Sequence, residues 1–322
     1  MPHDYQQGRL NLPFTGHCTF SKSPIADCQD TQGADFAVLG VPFDMGCQYR
    51  SGARFGPRAI RQASTLFAFG HSGAYDYERD TLYMEKSKVK VVDVGDVDMI
   101  HTDSEQSLSN TKVAVESLLA QGCIPIILGG DHSVTAAALS AYESHHDLHV
   151  VQIDAHLDFV DQRHGVRFGH GNCMRRASEM AHIKGMTQLG IRNTSSSNRQ
   201  DHQDALAVGS TILSVNQFRQ SGTLKVLDSI SPESKIYLTI DIDGFDPSIA
   251  PGTGTPSHGG FYYDEVLSLL EQVCQRHQVV GIDLCEVAPA YDPTEITATL
   301  AAQLLINVMG YAAHYQKEPN YV

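Results

Sequence analysis

Three side chains of metal-binding type follow one apolar segment of this sequence at steps of two. Residues 150–153 are mostly apolar and β-branched, which predicts a buried strand. Asp154, His156 and Asp158 come directly after them. Because alternate side chains of an extended chain point to the same face, we expect these three to project together from the end of one strand.

Two further apolar segments end in residues of the same kinds. Residues 235–240 lead into Asp241 and Asp243, and residues 124–128 lead through two glycines to His132. Packing alone gives no reason for three apolar strands to end in carboxylates and imidazoles. In open α/β sheets ligands collect at the carboxyl ends of the strands, so this pattern predicts one common site.

Together these residues predict a binuclear metal centre. The candidate ligands are His132, Asp154, His156, Asp158, Asp241 and Asp243. Taken singly, each Asp is better explained as a cap or turn residue and each His as a hydrogen-bonded core residue. Four carboxylates in one place, however, repel one another unless cations neutralise them, and two divalent ions would do so. Oxygen-rich ligation with some imidazole favours Mn²⁺ over a thiolate-bound zinc.

Bridging carboxylates would set the chemistry of such a centre. Asp154 and Asp241 are the candidates, and they would hold two ions about 3.5–4 Å apart with an activated water between them. The glycines before Asp131 also suggest phosphate binding at a helix start. Without a Walker lysine or a GxGxxG motif, that indication is weak.

The elements that position these residues alternate between strands and helices. Runs such as IPIIL and HVVQI are typical of strands buried on both faces of a parallel sheet. We therefore predict an α/β domain over residues 34–322, with a mostly parallel sheet of about eight strands and helices on both faces. Residues 1–33 show no periodicity and are predicted to form an arm. Ser104 is predicted to cap a helix over residues 104–121.

Composition restricts the class of protein. The chain has 322 residues and a formal net charge of -14, which argues against general nucleic-acid binding. The acidity either serves solubility or attracts cationic substrates. Seven cysteines without a CxxC pair favour free thiols in a reducing compartment, and no apolar run reaches membrane-span length. We expect a cytoplasmic protein that does not enter membranes.

At the predicted ligands the sequence resembles the ureohydrolases, the family of arginase, agmatinase and the guanidino-acid hydrolases. The motifs that carry this resemblance are GVPFD at 40–44, SGARFGPRAIR at 51–61, GGDHS at 129–133, DAHLD at 154–158, DIDGFDP at 241–247, APGTGTP at 250–256 and EVAPAYDPTEITA at 286–298. It covers about residues 34–312, and the APGTGTP and EVAPAYD segments look most like the agmatinase branch.

The resemblance implies a three-layer α/β/α sandwich of the arginase type, two Mn²⁺ ions per subunit, and hydrolysis of a guanidinium group to urea and an amine. It also implies a homotrimer or homohexamer. One ion would be held by His132, Asp154, Asp158 and Asp241, and the other by Asp154, His156, Asp241 and Asp243. Nickel or cobalt can occupy similar ligand sets.

The same resemblance assigns the remaining site residues. Glu286 follows a strand and would hold the guanidinium through charge-assisted hydrogen bonds. His170 matches the family's proton-shuttle histidine, which would protonate the leaving amine. Asn172, in the same glycine-rich loop, is assigned to substrate binding. Without the resemblance, His170 could equally be a turn residue and Glu286 a surface carboxylate.

The tail of the substrate is less well defined by the sequence. The loop at 159–168 offers Arg163, Arg167 and His164 against the single carboxylate of Asp161. Agmatine carries a second cation and should prefer carboxylates, so guanidino acids such as 4-guanidinobutanoate or 3-guanidinopropionate compete with it. The agmatinase-like motifs place agmatine, which would yield putrescine, first by a small margin. Arginine is disfavoured because the loop lacks the longer serine- and asparagine-bearing insertion of arginases.

Two alternatives of other kinds remain open. A deacetylase of the histone-deacetylase type would use one zinc and fewer carboxylates, and a catalytically inactive relative would act by binding alone. Metal content separates the three possibilities, as two Mn²⁺, one Zn²⁺ or none. Outside the motifs, His145, His146 and His149 are expected to be solvated or capping residues near a helix end. Arg175 and Arg176 are expected to be structural or to lie at a subunit contact.

Overall fold

A computed structural model describes residues 12–68 and 73–317. Its strands are β1 (Phe36–Gly40), β2 (Ala74–Asp76), β3 (Thr81–Tyr83), β4 (Val91–Asp96), β5 (Ile124–Leu128), β6 (Leu148–Ile153), β7 (Ile183–Leu189), β8 (Thr211–Leu213), β9 (Lys235–Asp241) and β10 (Val279–Cys285). The α-helices of the described ranges are α1 (Gly56–Ser64), α2 (Ser104–Ala120), α3 (Val134–Leu139), α4 (Cys173–Ser178), α5 (Arg199–Ala207), α6 (Val215–Ser221), α7 (Thr223–Leu227), α8 (Tyr263–Arg276) and α9 (Ile296–Lys317).

Eight of these strands form one sheet in the order β4-β1-β5-β10-β9-β6-β7-β8. Every neighbouring pair in that sheet is parallel, while β2 and β3 form a separate antiparallel hairpin. The predicted α/β class with a parallel sheet of about eight strands is confirmed.

Two hydrophobic cores lie on opposite faces of the sheet. In β5, Ile126 belongs to one core and Ile127 to the other, because alternate side chains leave a strand on opposite faces. The first core includes apolar residues of α8 and α9, and the second includes Leu118 of α2 and Leu139 of α3. These helices are the outer layers of the three-layer sandwich.

The last helix is the most apolar. Ile296–Gln316 is long and apolar enough to cross a membrane by length and composition, but 72% of its most apolar window is buried inside the protein. It packs against α1 and α8 as a core helix. The helix continues to Lys317.

Two local predictions need correction. Asp103 caps α2, since its side chain accepts a hydrogen bond from the Gln106 backbone N–H at 2.9 Å, and Ser104 is the first helical residue. Helices α5 and α6 are absent from the sequence prediction because nine and seven residues are too short for a clear helical period. Their capping boxes at Asn198 and Ser214 were the available signal.

The described part of the N-terminal arm packs on its own domain. Phe20 is buried, and its N–H donates to Asp93 of β4 at 2.7 Å. Further along, the Thr31 N–H donates to Gln121 at the end of α2, also at 2.7 Å. Residues 1–11 and 318–322, which the predicted arm and domain include, lie outside the described residues.

Candidate metal centre

Four adjacent strands of the sheet carry candidate site residues at their carboxyl ends. In the order β5, β10, β9 and β6, they are followed by or end in His132, Glu286, Asp241 and Asp154. Ile153 of β6 pairs with Ile240 of β9, so Asp154 and Asp241 leave adjacent strands at the same level. Topology and register therefore gather residues that are up to 154 positions apart in the chain.

Two groups of ligand atoms share Asp154. In the first, His132 Nδ1 lies 3.1 Å from Asp154 Oδ2, 3.0 Å from Asp158 Oδ2 and 3.4 Å from Asp241 Oδ2. In the second, His156 Nδ1 lies 3.4 Å from Asp154 Oδ1 and 3.1 Å from Asp243 Oδ2. Each Asp154 oxygen thus faces a different imidazole, which is the arrangement of a carboxylate that can bridge two ions.

The ring of His132 is fixed in a tautomer that can bind a metal. Thr239 donates its hydroxyl proton to Asp283 at 2.7 Å, so its oxygen accepts from His132 Nε2 at 2.8 Å. Nδ1 is then the nitrogen left to bind a metal, and it points towards three carboxylates from a fully buried ring. A buried nitrogen this close to carboxylate oxygens needs a cation beside them, either its own proton or a metal ion.

The electrostatics of the centre also call for positive charge. Burial alone would lower the pKa of His156, but Asp243 and Asp154 outweigh it and raise that pKa to about 12. Burial and the neighbouring carboxylates Asp243 and Asp154 raise the pKa of Asp241 well above its ordinary value. Divalent cations would relieve the same repulsion, so the residues fit a metal pair.

Two residues of the centre have a backbone that side chains rarely adopt. Asp158 has a φ of 52° and Glu286 a φ of 64°, both in the left-handed region. For residues other than glycine this costs on the order of 1–3 kcal/mol and persists where the surroundings fix the geometry. The Glu286 N–H is held by the Gly130 carbonyl at 2.8 Å.

Glu286 and His170 form a pair beside the ligands. Glu286 Oε1 accepts from the His132 backbone N–H at 3.0 Å and lies 3.0 Å from His170 Nδ1. Burial lowers the pKa of His170, but the Glu286 carboxylate outweighs burial and raises the pKa to about 9. His170 therefore carries a proton at neutral pH.

A cavity of about 540 Å³ opens onto this centre. Its floor includes His170 and three of the candidate ligands, His156, Asp158 and Asp241. Its wall is formed by Gln48, Tyr49, Arg50, Arg163, Gly171, Asn193, Ser195, Ser196, Thr255 and Pro256. The candidate ligands are thus accessible to a small molecule from one side.

Of the two loop arginines predicted to bind substrate, only one reaches the cavity. Arg163 lines it and donates to the Ser196 carbonyl. Arg167 does not line it, because Glu179, directly after α4, holds its guanidinium at 3.0 Å. The prediction for Arg167 is therefore not supported by its position.

Asn172 is also placed differently from its prediction. Its side chain donates to the Val160 carbonyl at 2.6 Å and accepts from the Gly169 N–H at 3.1 Å. The residue is buried and does not line the cavity. These two hydrogen bonds hold the loop that carries His170.

Several residues that contribute to the site were not predicted. Thr255 donates to Asp243 Oδ2 at 3.0 Å, and its motif APGTGTP was the available signal. Asp131 accepts from the Gly46 N–H at 2.7 Å, and the Gly46 carbonyl accepts from the His170 N–H at 3.2 Å. Arg192 donates to the Asp243 carbonyl at 2.7 Å. No local pattern indicated Arg192, because all but one of its hydrogen-bond partners are backbone atoms more than fifty positions away.

Residues outside the motifs are structural in this geometry. His149 lies in β6 and is buried, which corrects the expectation of a solvated or capping residue. Arg176 binds Asp161 at 2.6 Å and Glu179 at 2.9 Å, and Arg175 binds Asp204 at 2.9 Å.

Known proteins are similar to this chain in both sequence and fold. An agmatinase from Edwardsiella ictaluri is 37% identical over 283 residues, which cover 86% of this chain and 87% of that protein. A mitochondrial guanidino acid hydrolase from Homo sapiens is 32% identical over 302 residues, covering 91% of this chain and 82% of that protein. The solved structure of proclavaminate amidino hydrolase from Streptomyces clavuligerus superposes with a TM-score of 0.85 at 32% identity, covering 94% of this chain and 99% of that one.

The family comparison covers the same part of the chain as the motifs. Residues 34–310 match the arginase family, in agreement with the resemblance over about residues 34–312. The predicted family and the predicted enzyme class are confirmed. This chain belongs to the arginase family, and it is a hydrolase that acts on amidino groups.

Proposed function

We propose that the protein hydrolyses the guanidino group of a small substrate to urea and an amine at a pair of Mn²⁺ ions. The proposal depends on Asp154, whose two oxygens face the imidazoles of His132 and His156 at 3.1 and 3.4 Å. His132, Asp158 and Asp241 would complete one subsite, and His156, Asp241 and Asp243 the other. Oxygen-rich ligation with one imidazole on each side suits Mn²⁺.

The chain's own residues would orient the substrate and move the proton. A divalent pair, when bound, lowers the pKa of a water molecule and so supplies a nucleophile at neutral pH. Glu286 Oε1 is taken by His132 N–H and His170, which leaves Oε2 to accept hydrogen bonds from the guanidinium. His170, whose pKa burial lowers but Glu286 raises to about 9, would donate its proton to the leaving amine.

For the tail of the substrate we propose a guanidino acid, with agmatine as the second candidate. Among the described residues that line the cavity, Arg50 and Arg163 are cationic and the carboxylates belong to the metal centre. This wall suits a carboxylate better than the distal ammonium of agmatine, and it reverses the small margin by which the sequence favours agmatine. Agmatine retains the support of the agmatinase-like motifs and of the 37% identical agmatinase.

Urea release from a panel of substrates tests both parts. The Mn²⁺-loaded protein is given 4-guanidinobutanoate, 3-guanidinopropionate, agmatine and arginine, and kcat and KM are measured. We expect the guanidino acids to give the highest kcat/KM. Absence of urea from all four contradicts the reaction, whereas a preference for agmatine contradicts only the assignment of the tail.

The two loop arginines give a matched test of the tail. Arg163→Ala should raise KM for the guanidino acid by roughly tenfold or more, since a hydrogen bond to a charged group contributes about 1.5–3 kcal/mol. Arg167→Ala removes an equal charge from the same loop, but its side chain binds Glu179 outside the cavity, so KM should be unchanged. Equal effects of the two variants would leave the role of Arg163 without support.

Assembly and location are part of the same proposal. We propose a homotrimer or homohexamer, which is supported by exposed apolar side chains such as Phe55 at 57% and Ile296 at 51% exposure. A cytoplasmic location is supported by cysteines that are all free thiols. Sedimentation velocity measures the assembly, and a monomer at micromolar concentration would contradict it.

A further inference from the structure

A thiol lies against the metal centre and has no part in the proposed reaction. Cys173 begins α4 and is 1% exposed, and its Sγ lies 3.5 Å from Asp158 Oδ2. The same Asp158 oxygen lies 3.0 Å from His132 Nδ1. One ligand atom from each of His132, Asp158 and Cys173 falls within 4.8 Å of the other two. The three side chains are buried together.

These spacings match the ligands of one tetrahedral ion. Bonds of about 2.0–2.3 Å to nitrogen, oxygen and sulfur place neighbouring ligand atoms roughly 3.3–3.8 Å apart. The sulfur-to-oxygen distance of 3.5 Å lies in this range, and the nitrogen-to-oxygen distance of 3.0 Å is slightly shorter. His132 Nδ1 faces this space from a fully buried ring and has no hydrogen-bond partner among the described residues, which is a second indication of a ligand. A nitrogen, an oxygen and a sulfur around one point are a donor set for a soft or borderline ion.

We propose that His132, Asp158 and Cys173 form a thiolate site for a soft divalent ion such as Zn²⁺ or Cd²⁺. The inference rests on the proposed function, because this site takes two ligands from the Mn²⁺ pair and therefore competes with it. When the ion binds, the Cys173 S–H proton passes to solvent and an S–metal bond forms, with no change in oxidation state. The soft ion would then inhibit the enzyme by occupying His132 and Asp158, and Cys173, which has no part in the reaction, would supply its third ligand.

Cadmium titration of the metal-free protein tests the site directly. Thiolate bound to Cd²⁺ gives an ultraviolet charge-transfer band, which we expect to saturate at one ion per chain. Cys173→Ser should abolish the band, and prior loading with Mn²⁺ should weaken it. A parent protein without the band, or a Cys173→Ser protein that keeps it, would overturn the proposal.

Cys285 provides a matched control. It is buried at the end of β10, with its Sγ 3.5 Å from Asp283 Oδ1, the same sulfur-to-carboxylate distance as for Cys173. It belongs to none of the three metal-binding groups found in the described residues. Cys285→Ser should therefore keep the band, and its loss in that variant would contradict the assignment to Cys173.

Two further measurements keep the test decisive if Cys173→Ser folds poorly. His132→Asn retains every thiol but loses the shared imidazole, so its Cd²⁺ affinity should fall at least about tenfold, the scale of losing even an outer partner of a metal site. Unchanged affinity would overturn the shared ligand. Urea formation with Mn²⁺ alone reports the proposed function separately, so its failure is distinguishable from loss of the cadmium band.

Discussion

His132 and His149 each make a hydrogen bond from ring Nε2 to a threonine hydroxyl, and they lie at opposite ends of the strands of one sheet. His132 follows β5 and donates through Nε2 to Thr239 at 2.8 Å, and His149 near the start of β6 pairs through Nε2 with Thr187 at 2.8 Å. Both are buried. Burial alone would lower both pKa values, but Cys173 and the surrounding carboxylates raise that of His132 well above normal. Burial, helped by His277, lowers the pKa of His149 to about 4.

The comparison shows that neither residue type nor burial makes a metal ligand. The difference lies in the second ring nitrogen: His132 Nδ1 faces three carboxylates, whereas the His149 ring packs so closely on Gly185 that a side chain there would collide with it. Carboxylates at the carboxyl ends of the strands stabilise a charged imidazole at His132, whereas burial near the start of β6 disfavours one at His149.

The largest expected effect comes from making the surroundings of His132 more like those of His149. Asp154→Asn removes the carboxylate that faces both imidazoles. Metal content should fall below two ions per chain, and kcat/KM should drop by roughly a thousandfold, because metal stabilisation of the transition state amounts to several kcal/mol. Metal analysis and urea kinetics measure the two effects. Full Mn²⁺ content with parental kinetics would rule out a bridging role.

The second-largest expected effect is on the pH dependence of the free energy of unfolding, and it comes from His149. Because its folded pKa of about 4 lies below the ordinary 6.5, only the unfolded chain takes up the proton as pH falls from 6.5 to 4. The native state therefore loses stability over this window, by roughly 3 kcal/mol in all. His149→Gln should remove this part of the pH dependence.

Urea unfolding at about pH 7.5 and about pH 4.5 measures most of that loss. The free energy of unfolding should change by about 2.5 kcal/mol less in His149→Gln than in the parent. His146→Gln is the control, since His146 is exposed and lies three residues away. If the parent and His149→Gln lose the same free energy between the two conditions, the neutral state of His149 is refuted.

The smallest expected effect is on metal affinity, and it distinguishes Thr239, the partner of His132, from Thr187, the partner of His149. Thr239→Val should weaken metal binding by about 10-fold to 100-fold, because it frees the ring whose tautomer the hydroxyl fixes. Thr187→Val removes the equivalent bond from His149 and should leave metal affinity unchanged while lowering stability. Calorimetric titration with Mn²⁺ compares them. Similar affinities in both variants would show that the hydroxyl does not act through His132.

The sequence predicted the floor of the cavity better than its wall. Asp154, His156 and Asp158 follow the end of β6 and lie close to one another, as expected from the sequence. The physical reason differs from the predicted one, because β6 ends at Ile153 and Asp158 has a φ of 52°, so the bend after the strand directs these side chains. Arg163 and Arg167 lie in an irregular loop, and ion pairs with Asp161 and with Glu179, twelve residues further on, hold Arg167 away from the cavity. Arg50 binds Thr253 across 203 positions, and no local pattern carries that information. The burial of His149 was missed because its neighbours His145 and His146 suggested an exposed segment.

Because Ile153 pairs with Ile240, the distance between the backbones of Asp154 and Asp241 is set by the spacing of two hydrogen-bonded strands. Neighbouring strands repeat at about 4.7–4.9 Å whatever their side chains are. Substitutions around the cavity mouth can therefore alter which molecules enter without retuning the distance between the two carboxylates. Inserting a single residue into β6 or β9 would instead turn the carboxylate at the end of that strand towards a helical layer. A register shift of one residue moves every side chain of a strand to the opposite face of the sheet.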